Sequence, residues 1–404
     1  MIEPIDIRND FVVFESHPDL VYLDSASTSL VPRATVSAVS DFLNSTTSSS
    51  RRGAHKLAVM GSTTVEATRS TLAKFLETSP SQLSFQKSIP TTIASFAYGF
   101  DWEGTKKRKI VVAGNEEHSV FVALQRVSTI LGLEFTTIST DSTGRLESTE
   151  LEDSIDEMTG IVAIGHVTVG TGTRNNIKEI AALAHKNDAI LLTDATRSVG
   201  LTLKNIASLN ADLVTFSANI GLMGPPGLTV QWINEKLGSE HTPGILGGSA
   251  VTNVNSISHE VALQPDKFES GTLNVPAIAG LKSSIEYLAG LHSSGMQQHI
   301  QKLSRHLLEG LSQIDGIVIY GAPNDESTIF GINIGKDNGI NCHDVALFLD
   351  DSNIAVRSGL LCAHPLVTPI HLEGMIQISI HVYNTTSDIE KLITILRTIS
   401  EQLM

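Results

Sequence analysis

An α/β fold, with a parallel sheet wrapped by helices and a smaller α+β unit after it, is the architecture this sequence predicts. Three observations predict it. Between residues 109 and 216, short β-branched apolar runs alternate with longer helical patterns, as they do where parallel strands are joined by crossover helices. Beyond 316, strands and helices mix on the smaller scale of an α+β unit. The length of 404 residues is enough to bury a large core, most naturally as one large domain and one smaller one.

Lys109-Ile110-Val111-Val112-Ala113 reads as a strand, and 120–131 as the helix that follows it. Ile161-Val162-Ala163-Ile164 is the next strand, followed by an Ala- and Leu-rich helix over 177–186. The run 189–194 is a third strand and carries Asp194 at its C-terminal end. A fourth, 212–216, opens directly into the loop 217–227. Ligands of open α/β sheets sit beyond the carboxyl ends of the strands, so Asp194 and that loop fall where a ligand is expected. One long helical stretch over 276–314 links the two units. Strands at 316–320, 328–334, 354–357 and 375–382, with helices near 343–350 and 387–402, make up the remainder. The Ser/Thr-rich run 44–50 reads as a mobile surface loop, and no internal repeat is visible. These readings divide the chain into a large domain over 21–290 and a small one over 291–404, with 1–20 an N-terminal segment of the small domain.

A hydrophobic content of 41% and a charged content of 18% describe an ordinary globular chain. The net charge of −15 argues against nucleic acid, whose phosphates need an excess of Lys and Arg. No apolar run reaches the roughly 18–20 residues that cross a bilayer, so no membrane partner is expected. The acidic start, residues 1–10, lacks a signal-peptide core, and Cys342 and Cys362 give no disulfide framework. A cytoplasmic protein without a metal site is the expectation.

The most informative segment is Phe216-Ser217-Ala218-Asn219-Ile220-Gly221-Leu222-Met223-Gly224-Pro225-Pro226-Gly227. It resembles the cofactor-lysine loop of class V aminotransferases and cysteine desulfurases, roughly Ser-x-His-Lys-Gly-Leu-x-Gly-Pro-x-Gly. In that family the Lys forms the Schiff base with pyridoxal phosphate. Here Asn219 stands at the His position and Ile220 at the Lys position, and no lysine lies between Lys204 and Lys236. Other matches are spread along the chain. Arg52-Gly53-Ala54-His55 resembles an Arg-Gly-x-His segment near the active-site mouth, which makes His55 a substrate-side candidate. Phe268-Glu269-Ser270-Gly271-Thr272-Leu273-Asn274 resembles Phe-Glu-x-Gly-Thr-x-Asn, whose Thr reaches the cofactor phosphate of the neighbouring subunit. Val356-Arg357-Ser358-Gly359-Leu360-Leu361-Cys362-Ala363-His364-Pro365 resembles the desulfurase segment in which the Arg binds the substrate carboxylate and the Cys attacks its sulfur. The resemblance covers nearly the whole chain. It implies a fold-type-I dimer, with a mostly parallel seven-stranded sheet in the large domain.

Within that resemblance, Asp194 matches the aspartate that pairs with the pyridine nitrogen, and Ser217 a phosphate-side residue. Other contacts are changed. Phe85-Gln86-Lys87-Ser88-Ile89-Pro90 stands where the family cradles phosphate with Gly and Thr, and Pro90 lacks a backbone donor. In Glu116-Glu117-His118 the stacking His aligns with Glu117, while a one-residue shift puts His118 there. Arg197 replaces a Gln near the ring hydroxyl, and Val169 an Asn. Cys362 reads either as a small buried hydrophobe or as a reactive loop thiol, and Arg357 either as a substrate ligand or as a structural ion-pair partner.

Isoleucine can supply neither the covalent attachment nor the base. The leading expectation is a desulfurase-like homologue without pyridoxal-phosphate turnover, binding no cofactor covalently, or none at all. It would act as a homodimeric binding or regulatory protein, or as a heterodimer with an active paralogue. The runner-up is an active cysteine desulfurase, selenocysteine lyase or aminotransferase with noncovalent cofactor. A third is a repurposed pocket in which Arg197 and Lys87 hold a small anionic ligand.

Overall fold

Strands at the centre of the chain are apolar on both faces, as strands covered by helices on each side must be. The computed structural model describes residues 7–403 apart from 142, 336–338, 369, 371 and 372. Among the described residues the large sheet has seven strands: β1 (Leu83–Gln86), β2 (Lys109–Ala113), β3 (Glu134–Ile138), β4 (Thr159–Ala163), β5 (Ile190–Asp194), β6 (Leu213–Ser217) and β7 (Thr229–Ile233). Their order is β1-β7-β6-β5-β4-β2-β3, and β7 alone runs against its neighbours. Ile110, Val111, Val112, Ile161, Val162, Leu191, Leu192, Leu213 and Val214 are fully buried at its centre.

The C-terminal part forms an antiparallel sheet of β8 (Ile317–Tyr320), β9 (Ile329–Ile334), β10 (Arg357–Gly359) and β11 (Met375–Ser379), in the order β8-β9-β11-β10. Helices Cys342–Asp350 and Thr386–Leu403 accompany it. The N-terminal segment is tied to this part by the Arg8–Asp388 ion pair at 3.0 Å and by Phe11 packing edge-on to Tyr383. Residues 1–6 of that segment lie outside the described residues.

Three sequence expectations need correction. The stretch 276–314 is two helices, Val275–Ser293 and Met296–Leu311, because Gly295 takes the left-handed conformation (φ 95°) and restarts the chain. The run 354–357 is also split. Ile354–Ala355 pairs in parallel with Val21–Tyr22, whereas Arg357 begins β10 and pairs with Gln377. The loop expected over 44–50 begins later, since helix Arg33–Ser45 continues through Asn44 and Ser45.

Candidate functional site

Two strand ends and two helix starts converge on a cavity of about 290 Å³. Ser217 closes β6, Thr196 follows β5, and Glu117 precedes the helix His118–Leu131. Ser88, Ile89 and Pro90 come from the start of helix Ile89–Gly99, and Asn219 and Ile220 from the loop after β6. Lys87 and Ser27 complete the wall used below.

The floor beneath this cavity is a buried charge cluster. Asp194 accepts a hydrogen bond from the Thr196 amide at 2.8 Å through Oδ1, while Oδ2 has no partner among the described residues. Burial raises its carboxyl to about 6, opposed by the Arg197 guanidinium and reinforced by Glu117. Arg197, only 6% exposed, reaches Glu117 with Nη2 at 2.6 Å. Burial works against its charge, but Glu117 and Asp194 hold it above the ordinary value. Glu116 is a member of this cluster that the sequence reading did not single out. Its Oε1 accepts from the Glu117 amide at 2.9 Å, its Oε2 has no hydrogen-bond partner among the described residues, and burial with the Asp194 charge lifts it to about 8. Two successive carboxylates just after a strand end were the available signal.

Glu116 makes stability fall with rising pH. Its folded-state value of about 8 stands above the ordinary 4.5, so the folded chain holds the extra proton between them. The stabilisation is whole below the unfolded value and is lost at roughly 1.4 kcal/mol per pH unit as pH climbs towards the folded one. Glu116→Gln is expected to flatten that decline. Urea midpoints at acidic, neutral and mildly alkaline pH check it; an equal slope in both proteins would mean that Glu116 is ionised throughout.

Ile220 is 7% exposed and presents only hydrocarbon to the cavity. The loop that carries it is held by the Ala218 amide on Leu228 O at 2.9 Å and the Gly224 amide on Ala218 O at 2.8 Å. The backbone carbonyl of Asn219 accepts from the Ser29 amide at 2.8 Å, and its Nδ2 donates to Thr28 Oγ1 at 3.2 Å. Gly221 must lack a side chain, since a Cβ there would meet Val199 O at 2.1 Å. At the other wall, Ser88 caps its helix by accepting from the Thr91 amide at 3.4 Å, and Pro90 brings no amide hydrogen.

His118 is turned away from this cavity. Its amide donates to Cys362 O at 2.9 Å, its Nε2 accepts from the His364 amide at 3.3 Å, and the two imidazoles meet edge to face. Burial, with the neighbouring His364, lowers it below the usual histidine value. Of the two adjacent candidates, Glu117 therefore faces the cavity.

Cys362 is exposed, and Leu361 and Cys362 both take left-handed backbone (φ 54° and 57°). Arg357 Nη2 donates to Cys362 Sγ at 3.0 Å. Asp24 lies between this pair and the cavity: burial raises its carboxyl while the Ser27 hydroxyl, donating at 2.6 Å, and the Arg357 charge act against the rise. The Ser27 hydroxyl thus reaches Asp24, whose carboxyl feels the Arg357 charge, and Arg357 contacts the loop thiol.

Two other candidates stand apart. Thr272 lines two separate cavities of about 180 and 190 Å³, the first shared with Lys87 and the second with Arg51 and Arg52. His55 is exposed and caps helix Lys56–Phe75, its Nδ1 accepting from the Ala58 amide at 3.3 Å. Val169 is buried against Leu361, Leu366 and Met375. Among the described residues no cluster of three or more His, Cys, Asp or Glu could hold a metal, and no helix is long and apolar enough to cross a membrane.

The model of the aminotransferase class V family matches residues 21–392. A probable cysteine desulfurase of Methanothermobacter thermautotrophicus is 32% identical over 391 residues, 96% of each chain. The apo structure of a cysteine desulfurase from Thermococcus onnurineus superposes with a TM-score of 0.90 at 29% identity, covering 100% of this chain and 99% of that one. A cysteine desulfurase from Escherichia coli, at 23% identity and a TM-score of 0.87 over the whole of both chains, shares the fold. With a family match spanning almost its full length, and the fold and site geometry above, this chain belongs to the aminotransferase class V family, among cysteine desulfurase homologues.

Proposed function

We propose that this protein is a desulfurase-like homologue that does not run pyridoxal-phosphate chemistry and acts instead as a dimeric binding or regulatory protein. The observation that carries it is Ile220, an apolar side chain on the cavity wall where the family resemblance calls for a lysine. The surrounding residues agree. The orphaned Oδ2 of Asp194 suits a pyridinium partner, but the rest of the wall offers the cofactor fewer contacts than the resemblance calls for. Glu117 brings a carboxylate to the ring face, and Ile89 and Pro90 line the side where phosphate donors are needed. Pairing with an active relative, Thr272 serving its partner's site, is the form of regulation this reading favours.

Purified protein with saturating pyridoxal phosphate is expected to show no new visible band. Borohydride followed by intact mass should find no adduct, and added cysteine should release no sulfide. An adduct on one specific lysine would overturn the reading, with Lys87 on the cavity wall the first place to look.

One observation favours a second reading. The Arg357–Cys362 contact keeps a guanidinium 3.0 Å from the sulfur of an exposed cysteine. An active desulfurase or lyase with noncovalent cofactor would release sulfide in a manner abolished by Cys362→Ser.

A further inference from the structure

A larger cavity, about 490 Å³, lies on the other side of Arg197 between the 145–202 region and the 322–328 segment. Its size is that of small-molecule sites in general. Two buried donors on its lining lack partners among the described residues: Nε of Arg197, a residue only 6% exposed, and Oγ1 of Thr202. Orphaned buried donors are costly, and a ligand is one way to satisfy them. The ten-residue helix Ile177–Lys186 also begins here, and its N-cap Asn176 makes no side-chain cap; the Ile177 and Glu179 amides already donate to the Asn175 and Asn176 carbonyls, which leaves the Lys178 amide for an oxyanion.

Charges of the other sign line the same space. Glu152 and Glu179, both exposed, and the lining Arg145 make no side-chain hydrogen bond or ion pair among the described residues, whereas Arg174 is already paired with Glu326 at 2.9 Å. A simple anion would meet Arg145, Arg197 and Thr202 and leave the two carboxylates unpaired. A simple cation would leave Arg197 and Thr202 unsatisfied. A molecule carrying both charges meets both requirements.

We infer that this cavity binds a small zwitterion of about dipeptide size. Its oxyanion end is taken by Arg197, Thr202 and the start of helix Ile177–Lys186, and its ammonium end by Glu152 and Glu179. The inference does not depend on whether the Ile220 cavity is catalytic. It adds one connection: Arg197 lines this second cavity and contacts Glu117, which lines the first, with Nη2.

The test is thermal unfolding together with ligand-observed NMR, using glycylglycine as the zwitterion, succinate and inorganic phosphate as anions, and putrescine as the cation. Glycylglycine is expected to raise the melting temperature and to bind best. Thr202→Val and Glu179→Gln should each weaken it about tenfold, the scale of one lost polar contact. Glu179 is exposed, so its variant keeps the fold even where Thr202→Val does not. No binding of glycylglycine, or binding unchanged in Glu179→Gln, would overturn the proposal. So would phosphate or succinate binding as tightly as the zwitterion.

Discussion

Glu269→Ala is expected to destabilise the protein by about 3–5 kcal/mol, the usual cost of stripping one partner from a buried ion pair. Arg69 and Glu269 are each only 1% exposed. Arg69 Nη1 lies 2.8 Å from Glu269 Oε1 and also donates to Leu83 O at 2.7 Å, and the same Oε1 accepts from the Phe85 amide at 2.8 Å. Alanine would leave a buried guanidinium against the Phe85 ring and a buried amide without its acceptor. Burial opposes the Arg69 charge and Glu269 is the main group that offsets it, while a guanidinium is too basic to escape by losing its proton, so the variant buries an uncompensated charge. The effect reaches the site because this pair joins helix Lys56–Phe75, strand β1 and the segment that carries Thr272. Lys87 and Ser88 follow β1 directly. Denaturant midpoints measure the loss; a change below about 1 kcal/mol would mean that water or Glu66 takes over, since Arg69 also reaches Glu66 at 3.1 Å.

The sheet was legible in the sequence because its strands are buried on both faces. The centres of such strands, residues 110–113 and 190–192, are apolar throughout, and the carboxylate that ends the second strand broke that pattern visibly. Breaks inside periodic stretches were not legible. Ser294 and Gly295 sit in a sequence that continues to read as helix, and only the left-handed turn at Gly295 divides it. Val356 gave no sign that the strand on its two sides belongs to different sheets.

The site shows the same division between local and distant information. Asn219 and Ile220 could be placed from the loop motif alone, because their neighbours in space are largely their neighbours in sequence. The choice between Glu117 and His118 could not be made that way. It depends on His118 meeting a loop 246 positions away, where the His364 amide and the Cys362 carbonyl hold it. Arg197 was readable as a charge near the site, but not as a lining residue of the larger cavity. That role comes from the small sheet's 322–328 segment closing over its far side.

Ile220→Lys is expected to change the cavity from inert to adduct-forming. The substituted amine would enter a wall already carrying Glu117, with Asp194 beneath it, so its charge has partners that an isolated buried lysine lacks. With pyridoxal phosphate and borohydride, the variant should gain one adduct mapping to position 220, while the wild type gains none. Cysteine turnover should still be low, because Glu117 and Pro90 are unchanged and general acid–base catalysis is worth only about 10²–10⁴-fold by itself. Adding Glu117→His should raise turnover further, at the cost of leaving Arg197 without its 2.6 Å partner. The position of the adduct separates the alternatives. An adduct at 220 means that the loss is confined to the nucleophile and the pocket still admits the cofactor. An adduct on Lys87 in both proteins would refute the assignment of Ile220 as the decisive change. No adduct in the variant would show that Glu117, Ile89 and Pro90 exclude the cofactor outright, and that the cavity has diverged as a whole rather than at one residue.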